Sequence, residues 1–241
     1  MDNFLTLNNQ RGIYLDVDKL VEEPIECVRQ IFKNFAEILG QNKSDLSETV
    51  RLVVSVSDMN RDRPLINTVQ KEIWGEEGPY PCRTIIEVDY LGDDFVEIDG
   101  VFRIPNTASS ALEFLAPENA FTPTATWSLG VKADGYVFVS GMRGINPETE
   151  TLVIGDAPRV RQAFQNMATI SEAGGTKITD AIGLVVYVTD EKYLKAVEML
   201  QHRFWGGKPL PPVTVNIVRS LNDNDIVEIE GTFAVNSFLS P

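Results

Sequence analysis

Two parts of this chain, about 130 residues apart, repeat the same sequence blocks in the same order. Each pair of blocks shares at least three identical residues. The pairs are 27–34 with 159–166, 52–58 with 184–190, 79–86 with 209–216, and 96–99 with 227–230. Four ordered matches at a nearly constant spacing predict a tandem duplication of one domain. Where the copies differ, the difference is informative, and Arg83 of the first copy corresponds to Val213 of the second.

Each copy alternates apolar runs of strand length with amphipathic helices. In the second copy the pattern predicts helices at about 156–173 and 191–205 and the order β-β-α-β-α-β-β. The first copy predicts the same order from Ile13 to Ile104, but with a short start that lacks the hairpin of the second copy. A sheet with two helices on one face leaves its other face apolar, so a second domain or a second chain must cover that face.

The repeat boundaries predict three segments along the chain. Residues 1–105 form a shortened first domain, and residues 126–241 form a complete second domain. Between them, residues 106–125 are rich in Ser, Thr, Pro and Ala and are expected to form a connector that also supplies the leading edge of the second copy. We therefore expect an α+β protein of two tandem domains, each a mostly antiparallel sheet with two helices on one face.

The composition and charge of the chain disfavour some classes of binding partner and some cellular locations. The net charge is −14, and no cluster of lysines or arginines interrupts the acidic sequence. Nucleic acid and anionic membranes are therefore unfavourable binding partners. No run approaches the roughly 18 apolar residues of a membrane span, and the N-terminal sequence lacks the pattern of a signal peptide. Cys27 and Cys82 suit reduced thiols better than a disulfide. A cytoplasmic protein is the expected class.

Several runs of the second copy resemble the RidA (YjgF-type) reactive-intermediate deaminase family. They begin with Trp127-Ser-Leu-Gly-Val-Lys-Ala-Asp-Gly-Tyr-Val-Phe-Val-Ser-Gly141 and continue with Gly144-Ile-Asn-Pro-Glu-Thr149 and Val227-Glu-Ile-Glu-Gly231. The first copy is similar to the same family through Pro81-Cys-Arg-Thr84 and Val96-Glu-Ile-Asp99. The resemblance covers nearly all of the chain.

This resemblance implies a chorismate-mutase-like fold that assembles as trimers, with ligand sites in clefts between adjacent domains. It implies neither a metal nor an organic cofactor. The best-known reaction of the family is the hydrolysis of enamines or imines derived from amino acids, which releases ammonia and a 2-oxo acid. A small carboxylate is therefore the expected ligand, and a homo-oligomer, most simply a trimer, is the expected assembly.

The site residues of the family carry over by position onto both copies. Arg83 matches the arginine that holds the substrate carboxylate, and Glu97 and Glu228 match the glutamate near the last strand that helps to position water. The residues expected to bind substrate beside Arg83 are Asn67, Trp127, Ser140, Gly141 and Arg143. The second copy departs from the family at Val213, at Glu198, and at Met142-Arg143.

The chemistry of these residues favours one composite site per chain. A guanidinium donates hydrogen bonds to both oxygens of a carboxylate, which valine cannot do, so Val213 leaves the second copy without the usual clamp. We expect Arg83 of the first copy to face Trp127, Ser140 and Gly141 of a second copy. The alternative is one working site and one structural half. Arg143 is either a second anion contact, suited to a dicarboxylate, or a solvated residue.

Three functions remain open on the sequence. The first is a cofactor-independent deaminase of small enamine or imine carboxylates, such as 2-aminoacrylate-like or aminomuconate-like acids. The second is a specialised lyase or hydrolase that acts on an aromatic or dicarboxylic acid. The third is a non-catalytic ligand-binding or assembly protein in which Arg83 is only a structural ion-pair partner.

Overall fold

The computed structural model describes residues 3–17, 19–92, 94–107 and 109–235. The first copy of the domain runs from the N-terminal strand to residue 103. Its elements are β1 (Phe4–Gln10), β2 (Ile13–Tyr14), β3 (Lys19–Leu20), α1 (Pro24–Gln41), β4 (Thr49–Val56), α2 (Met59–Trp74), β5 (Cys82–Glu87) and β6 (Val96–Arg103). Helices α1 and α2 pack on one face of the sheet, around a core that includes Ile31, Phe35 and Ile98.

The second copy repeats this order with two additional strands at its start and one short additional strand before its last strand. Its elements are β7 (Glu113–Leu115), β8 (Gly130–Ala133), β9 (Tyr136–Met142), β10 (Ile145–Asn146), β11 (Thr151–Leu152), α3 (Asp156–Ala173), β12 (Ala181–Val188), α4 (Leu194–Trp205), β13 (Val213–Ile217), β14 (Ser220–Leu221) and β15 (Val227–Ala234). Strand β7 lies within the range predicted as a connector, and it pairs with β8 as part of the second sheet. The two-domain α+β fold predicted from the repeats is confirmed.

Each copy forms its own sheet, and one strand crosses between them. The first sheet has the order β1-β6-β4-β5-β14, and the second has the order β13-β12-β15-β9-β8-β7. Strand β14 belongs to the second copy by sequence but pairs with β5 of the first, with Leu221 opposite Ile86. Strand β5 is therefore held between its own sheet and segments of the other domain.

The duplication extends to individual hydrogen bonds. Asn34 in α1 donates from Nδ2 to the carbonyl of Ile13, at 2.9 Å. Asn166 in α3 makes the equivalent bond to the carbonyl of Ile145, at 2.8 Å. In both copies a buried helix asparagine thus fixes the turn that follows the first long strand, because the polar backbone of that turn needs a partner once it is buried.

The prediction that the first copy lacks the hairpin is wrong. Strands β2 and β3 pair as a hairpin, with Ile13 opposite Leu20, just as β10 and β11 do in the second copy. A full first strand, β1, precedes them and pairs with β6. Its polar end, Asn8-Asn9-Gln10, hides the strand from hydrophobic periodicity, since that part of β1 is solvent-exposed. The strands of the second copy that have no equivalent among the described residues of the first are β7, β8 and β14.

The two sheets cover each other through the faces that their helices leave open. One shared cluster joins Val50 and Cys82 of the first copy to Val131 and Phe138 of the second. Arg51 extends across this interface and donates from Nη2 to the carbonyl of Val139, at 3.2 Å. The apolar sheet face expected from the sequence is therefore buried by packing of domain on domain within one chain.

Strands β5 and β13 occupy equivalent places in the two copies but have different surroundings. Each pairs in parallel with the strand before the second helix, so that Arg83 lies opposite Leu52 and Val213 lies opposite Leu184. Strand β5 is buried against the second domain, whereas β13 is an exposed edge on which Val215 is 45% exposed. The contact that covers β5 therefore has no counterpart at β13 among the described residues.

Both cysteines are free and buried. Burial raises the pKa of the Cys82 thiol to about 11, so it is a packed thiol rather than a nucleophile at neutral pH. Among the described helices, none combines the length and the apolar composition that crossing a bilayer requires.

Candidate active site between the two copies

A cavity of about 100 Å³ lies where the two domains meet. The first copy contributes Arg63, Arg83 and Ile85 to its wall, and the second contributes Trp127, Gly141, Arg143 and Glu228. The structure therefore brings Arg83 together with three of the second-copy residues predicted to bind substrate, namely Trp127, Gly141 and Arg143.

Arg83 projects from β5 toward α2 and is almost fully buried. Its Nη1 donates to Oδ1 of Asn67 at 2.8 Å, to Oγ1 of Thr126 at 3.0 Å, and to Oε1 of Gln70. Asn67 and Gln70 lie on one face of α2 because they are three residues apart. All three partners are neutral, so they orient the guanidinium without neutralising it.

The second copy also holds the backbone of β5 in place. Ser140 Oγ accepts a hydrogen bond from the backbone N–H of Arg83 at 3.0 Å and donates one to the carbonyl of Ser128 at 2.5 Å. Cys82 forms a parallel bridge with Ser128. Ser140 is itself completely buried, so it acts here on the strand that carries Arg83 and does not form part of the cavity wall.

The Arg83 guanidinium is a buried charge with no carboxylate partner among the described residues. Burial lowers its pKa to about 10, and the nearby positive charge of Arg63 adds to that effect. The group therefore remains protonated at neutral pH. A buried cation without a counterion is costly, and an anion bound in the cavity would remove that cost.

Glu228 lies across the cavity from Arg83, on β15 of the second copy. Burial is the main cause that raises the pKa of its carboxyl to about 8. Its Oε2 atom is buried and has no hydrogen-bond partner among the described residues. Glu228 therefore carries a proton at pH 7 and can both donate and accept one near neutral pH.

Gly141 leaves the space that Glu228 occupies. A Cβ atom built on Gly141 would lie 1.9 Å from Oε1 of Glu228, well inside contact distance. Any side chain at this position would thus displace the carboxyl. Two contacts explain the Ser-Gly sequence near the end of β9. Ser140 forms a hydrogen bond with the backbone of β5, and Gly141 leaves room for the carboxyl of Glu228.

Arg143 is buried and ion-paired, so of the two alternatives for this residue the solvated one is wrong. Its Nε lies 3.2 Å from Oδ2 of Asp225, and its Nη1 lies 3.2 Å from Oδ2 of Asp223. These two carboxylates balance its charge. Its Nη2 is buried and unbonded within the described part of the chain, and the residue lines the cavity as predicted for a substrate contact.

Trp127 forms an apolar side of the cavity. Its ring packs against Phe121, with ring centroids 6.0 Å apart. Both residues line the cavity, and they come from the segment that precedes β8. Among the described residues the first copy has no equivalent of this segment, which is one physical reason why a complete cavity forms around β5.

Glu97, the first-copy equivalent of Glu228, lies outside this cavity. It is on β6, and β4 separates it from the strand that carries Arg83. Burial and the neighbouring Asp99 raise the pKa of its carboxyl. Arg83 and Glu97 therefore belong to one domain but do not face each other, whereas Arg83 and Glu228 belong to two domains and do.

Arg63 lines the cavity and was not predicted from the sequence. It lies on α2, four residues before Asn67 and so on the same face of the helix. That spacing was the available signal. It was overlooked because the Asn-Arg-Asp-Arg sequence at the start of α2 is typical of a solvated helix face.

Comparison with known proteins places these features in a family. A sequence model described as Endoribonuclease L-PSP matches residues 117–235. A RutC family protein of Aquifex aeolicus is 35% identical over 109 residues, which cover 45% of this chain and 87% of that protein. A 2-iminobutanoate/2-iminopropanoate deaminase of Dermatophagoides farinae is 29% identical over 122 residues, covering 50% of this chain and 91% of that protein.

Among solved structures, a protein of Rhodopseudomonas palustris described as a probable translation initiation inhibitor is 43% identical, with a TM-score of 0.50. The match covers 51% of this chain and 97% of that structure. A single-domain relative therefore accounts for half of this chain, as a tandem duplication requires. The chain belongs to the RidA (YjgF-type) family and carries the domain of that family twice.

Proposed function

We propose that this protein is a cofactor-independent deaminase that hydrolyses small 2-imino or enamine carboxylates to a 2-oxo acid and ammonia. The observation that carries this proposal is the buried Arg83 guanidinium, which has no carboxylate partner in the described chain and faces a protonated Glu228 across a small cavity. The names of relatives such as the 2-iminobutanoate/2-iminopropanoate deaminase add support.

Arg83 binds and orients the substrate in this proposal. Its planar fork matches a carboxylate, and three of the contacts described above use Nη1 alone. Asn67, Gln70 and Thr126 thereby fix the plane of the guanidinium before substrate arrives. Such preorganisation holds the C=N carbon close to Glu228 without further rearrangement.

Glu228 transfers the protons. Its neutral carboxyl donates a proton to the imine nitrogen, and the resulting carboxylate then takes a proton from the water that adds to the carbon of the C=N bond. A second transfer from Glu228 to nitrogen breaks the C–N bond and releases ammonia, while the hydroxyl proton returns to the carboxylate as the 2-oxo group forms. One water is consumed, and the carboxyl is restored.

The other candidate functions have weaker support. A cavity of about 100 Å³ suits a short acid better than an aromatic one. An endoribonuclease or translation inhibitor would need to attract a polyanion, against a net charge of −14. A purely structural Arg83 would be expected to pair with a carboxylate, and its partners are neutral.

The proposal includes a homo-oligomer formed through the exposed edge at β13. Strand β5 is covered by the other domain of its own chain, and β13 is the same edge in the second copy. Val213, Val215 and Ile217 leave it apolar and exposed. A second copy of this chain could cover it with its first domain, whose Asn8 and Glu97 correspond to Ser140 and Glu228.

Ammonia release from imines generated in situ tests the proposed function. An amino-acid oxidase acting on alanine supplies 2-iminopropanoate, and the rate is compared with and without the full-length protein. We expect wild type to accelerate release and Arg83→Gln to reduce kcat/KM at least 100-fold, because a charged hydrogen-bonding partner is lost from a buried site. Unchanged release with every imine tried would contradict the proposal.

A further inference from the structure

Arg63 is the second arginine that the first copy places at the cavity. It lies near the start of α2, is half-buried, and lines the same wall as Arg83. Within the described residues it forms no hydrogen bond and no ion pair. By contrast, Arg61, two residues earlier, donates to Asp62 and Ser57 and faces away from the cavity.

The helix directs Arg63 and the residues that orient Arg83 to one side. Arg63, Asn67 and Gln70 follow one another at four- and three-residue steps, which places them on a single face of α2. The positive charge of Arg63 is close enough to contribute to the lowered pKa of Arg83. Two like charges on one wall repel each other, so a ligand that binds both must supply negative charge to both.

Neither Arg63 nor Arg83 forms an ion pair among the described residues, although the carboxylate of Glu150 also lines the cavity. Arg143 is balanced by Asp223 and Asp225. Glu228 is protonated at neutral pH, so it supplies no negative charge. A monocarboxylate bound to Arg83 would therefore leave Arg63 without an ion-pair partner.

We infer that the substrate class is a 2-imino dicarboxylate, in which Arg83 holds the carboxylate next to the C=N carbon and Arg63 binds the second carboxylate. This inference rests on the proposed deaminase function and assigns its specificity. The reaction is the same hydrolysis, in which a 2-imino dicarboxylate and water give a 2-oxo dicarboxylate and ammonia.

The size of the cavity limits the length of such a substrate. About 100 Å³ suits a short chain better than a long or branched acid. The carbon skeletons of aspartate and glutamate, with four and five carbons, are the natural candidates. The role that the sequence suggested for Arg143, a second anion contact for a dicarboxylate, falls instead to Arg63, because the charge of Arg143 is already compensated.

The test compares substrates that differ only in the second carboxylate. Ammonia release is measured with imines that amino-acid oxidases generate from aspartate, glutamate and alanine. We expect wild-type kcat/KM to be at least tenfold higher for the dicarboxylic imines than for 2-iminopropanoate. Arg63→Gln should reduce the dicarboxylate value at least tenfold, mainly through KM, and should reduce the 2-iminopropanoate value by a clearly smaller factor.

Arg61→Gln is the matched control, since it removes an arginine from the same helix at an exposed position outside the cavity. Arg61→Gln should leave kcat/KM unchanged for both the mono- and the dicarboxylic imines. Equal losses on mono- and dicarboxylic imines in Arg63→Gln, or a wild-type preference for 2-iminopropanoate, would overturn the inference.

A binding measurement separates this inference from the proposed reaction. Calorimetric titration of the full-length protein with 2-oxoglutarate and with pyruvate should give tighter binding of the dicarboxylate, and Arg63→Gln should remove that difference. If no imine is hydrolysed faster but this difference is found, the deaminase proposal fails and the second anion site is supported. If 2-oxoglutarate binds no more tightly than pyruvate, the second anion site is contradicted.

Discussion

Arg83 and Glu228 come from different copies of a duplicated domain and face each other across one cavity. The second copy has lost the arginine, because Val213 stands in its place, and Glu97 of the first copy lies away from the cavity. The duplication has thus placed within one chain a cleft that a single domain could form only with a neighbour.

Asn67 offers a test of how Arg83 is kept available. Asn67→Asp would place a carboxylate where an amide oxygen now accepts from Nη1 at 2.8 Å. This new anion should compete with the substrate for the guanidinium, so we expect KM to rise at least tenfold while kcat changes little. Steady-state kinetics give both values, and Asn67→Ala is the control that removes the contact without adding charge. A fall in kcat with unchanged KM would contradict this role.

The pH dependence of the reaction should report on Glu228. Its carboxyl has a pKa raised to about 8, so the protonated form is present at neutral pH and is lost as the pH rises through that value. We expect kcat/KM to decrease above about pH 8, by up to tenfold per pH unit. Glu228→Gln cannot ionise, so its residual activity should lack this decrease. The measurement is the profile of kcat/KM from pH 5 to 10 for wild type and Glu228→Gln. The same decrease above about pH 8 in both proteins would contradict this role of Glu228.

Gly141 should be intolerant of a methyl group for a local reason. In Gly141→Ala the new Cβ would collide with the Glu228 carboxyl and push it from its place. We expect a loss of kcat of at least tenfold with thermal stability reduced only modestly. Gly183→Ala is the matched control, because no atom lies within 4 Å of the Cβ position there. If both variants keep wild-type activity, the placement of Glu228 is not limiting.

The exposed edge at β13 predicts a variant that changes assembly. Val215→Glu adds a charge to an apolar edge strand, and such charges disfavour strand-edge association. We expect sedimentation velocity to show a smaller species than wild type, with the fold preserved by circular dichroism. Tyr90→Glu, at an exposed position outside β13, should leave the wild-type size unchanged. A wild-type size for Val215→Glu would exclude this edge as the interface.

The sequence predicted the second copy more accurately than the first. Helix α3 spans Asp156–Ala173, the range that its apolar periodicity predicts, and β12 follows as a nearly continuous apolar run. Strand β1 was missed because it ends in exposed polar residues, which interrupt the alternation that marks a strand. Hydrophobic periodicity reports burial, so it fails where a strand is only partly buried.

The candidate site likewise contains residues that the sequence could predict and residues that it could not. Arg83 and Glu228 could be named because each lies in a short motif that resembles the RidA family. The sequence could not show whether Glu97 or Glu228 lies at the same cavity as Arg83, because the packing of one domain on the other decides it. Arg63 and the ion pairs of Arg143 were likewise visible only once α2 and the segment at 222–225 had a place in space.

Glu228 and Glu97 provide the most direct test of the composite site, because they are equivalent by sequence and different by location. Ammonia release from imines generated in situ is measured for wild type, Glu228→Gln and Glu97→Gln under identical conditions. The account predicts that Glu228→Gln loses at least 100-fold in kcat/KM, as removal of a general acid–base group does, while Glu97→Gln stays within twofold of wild type. Equal losses in the two variants, or a loss confined to Glu97→Gln, would contradict it.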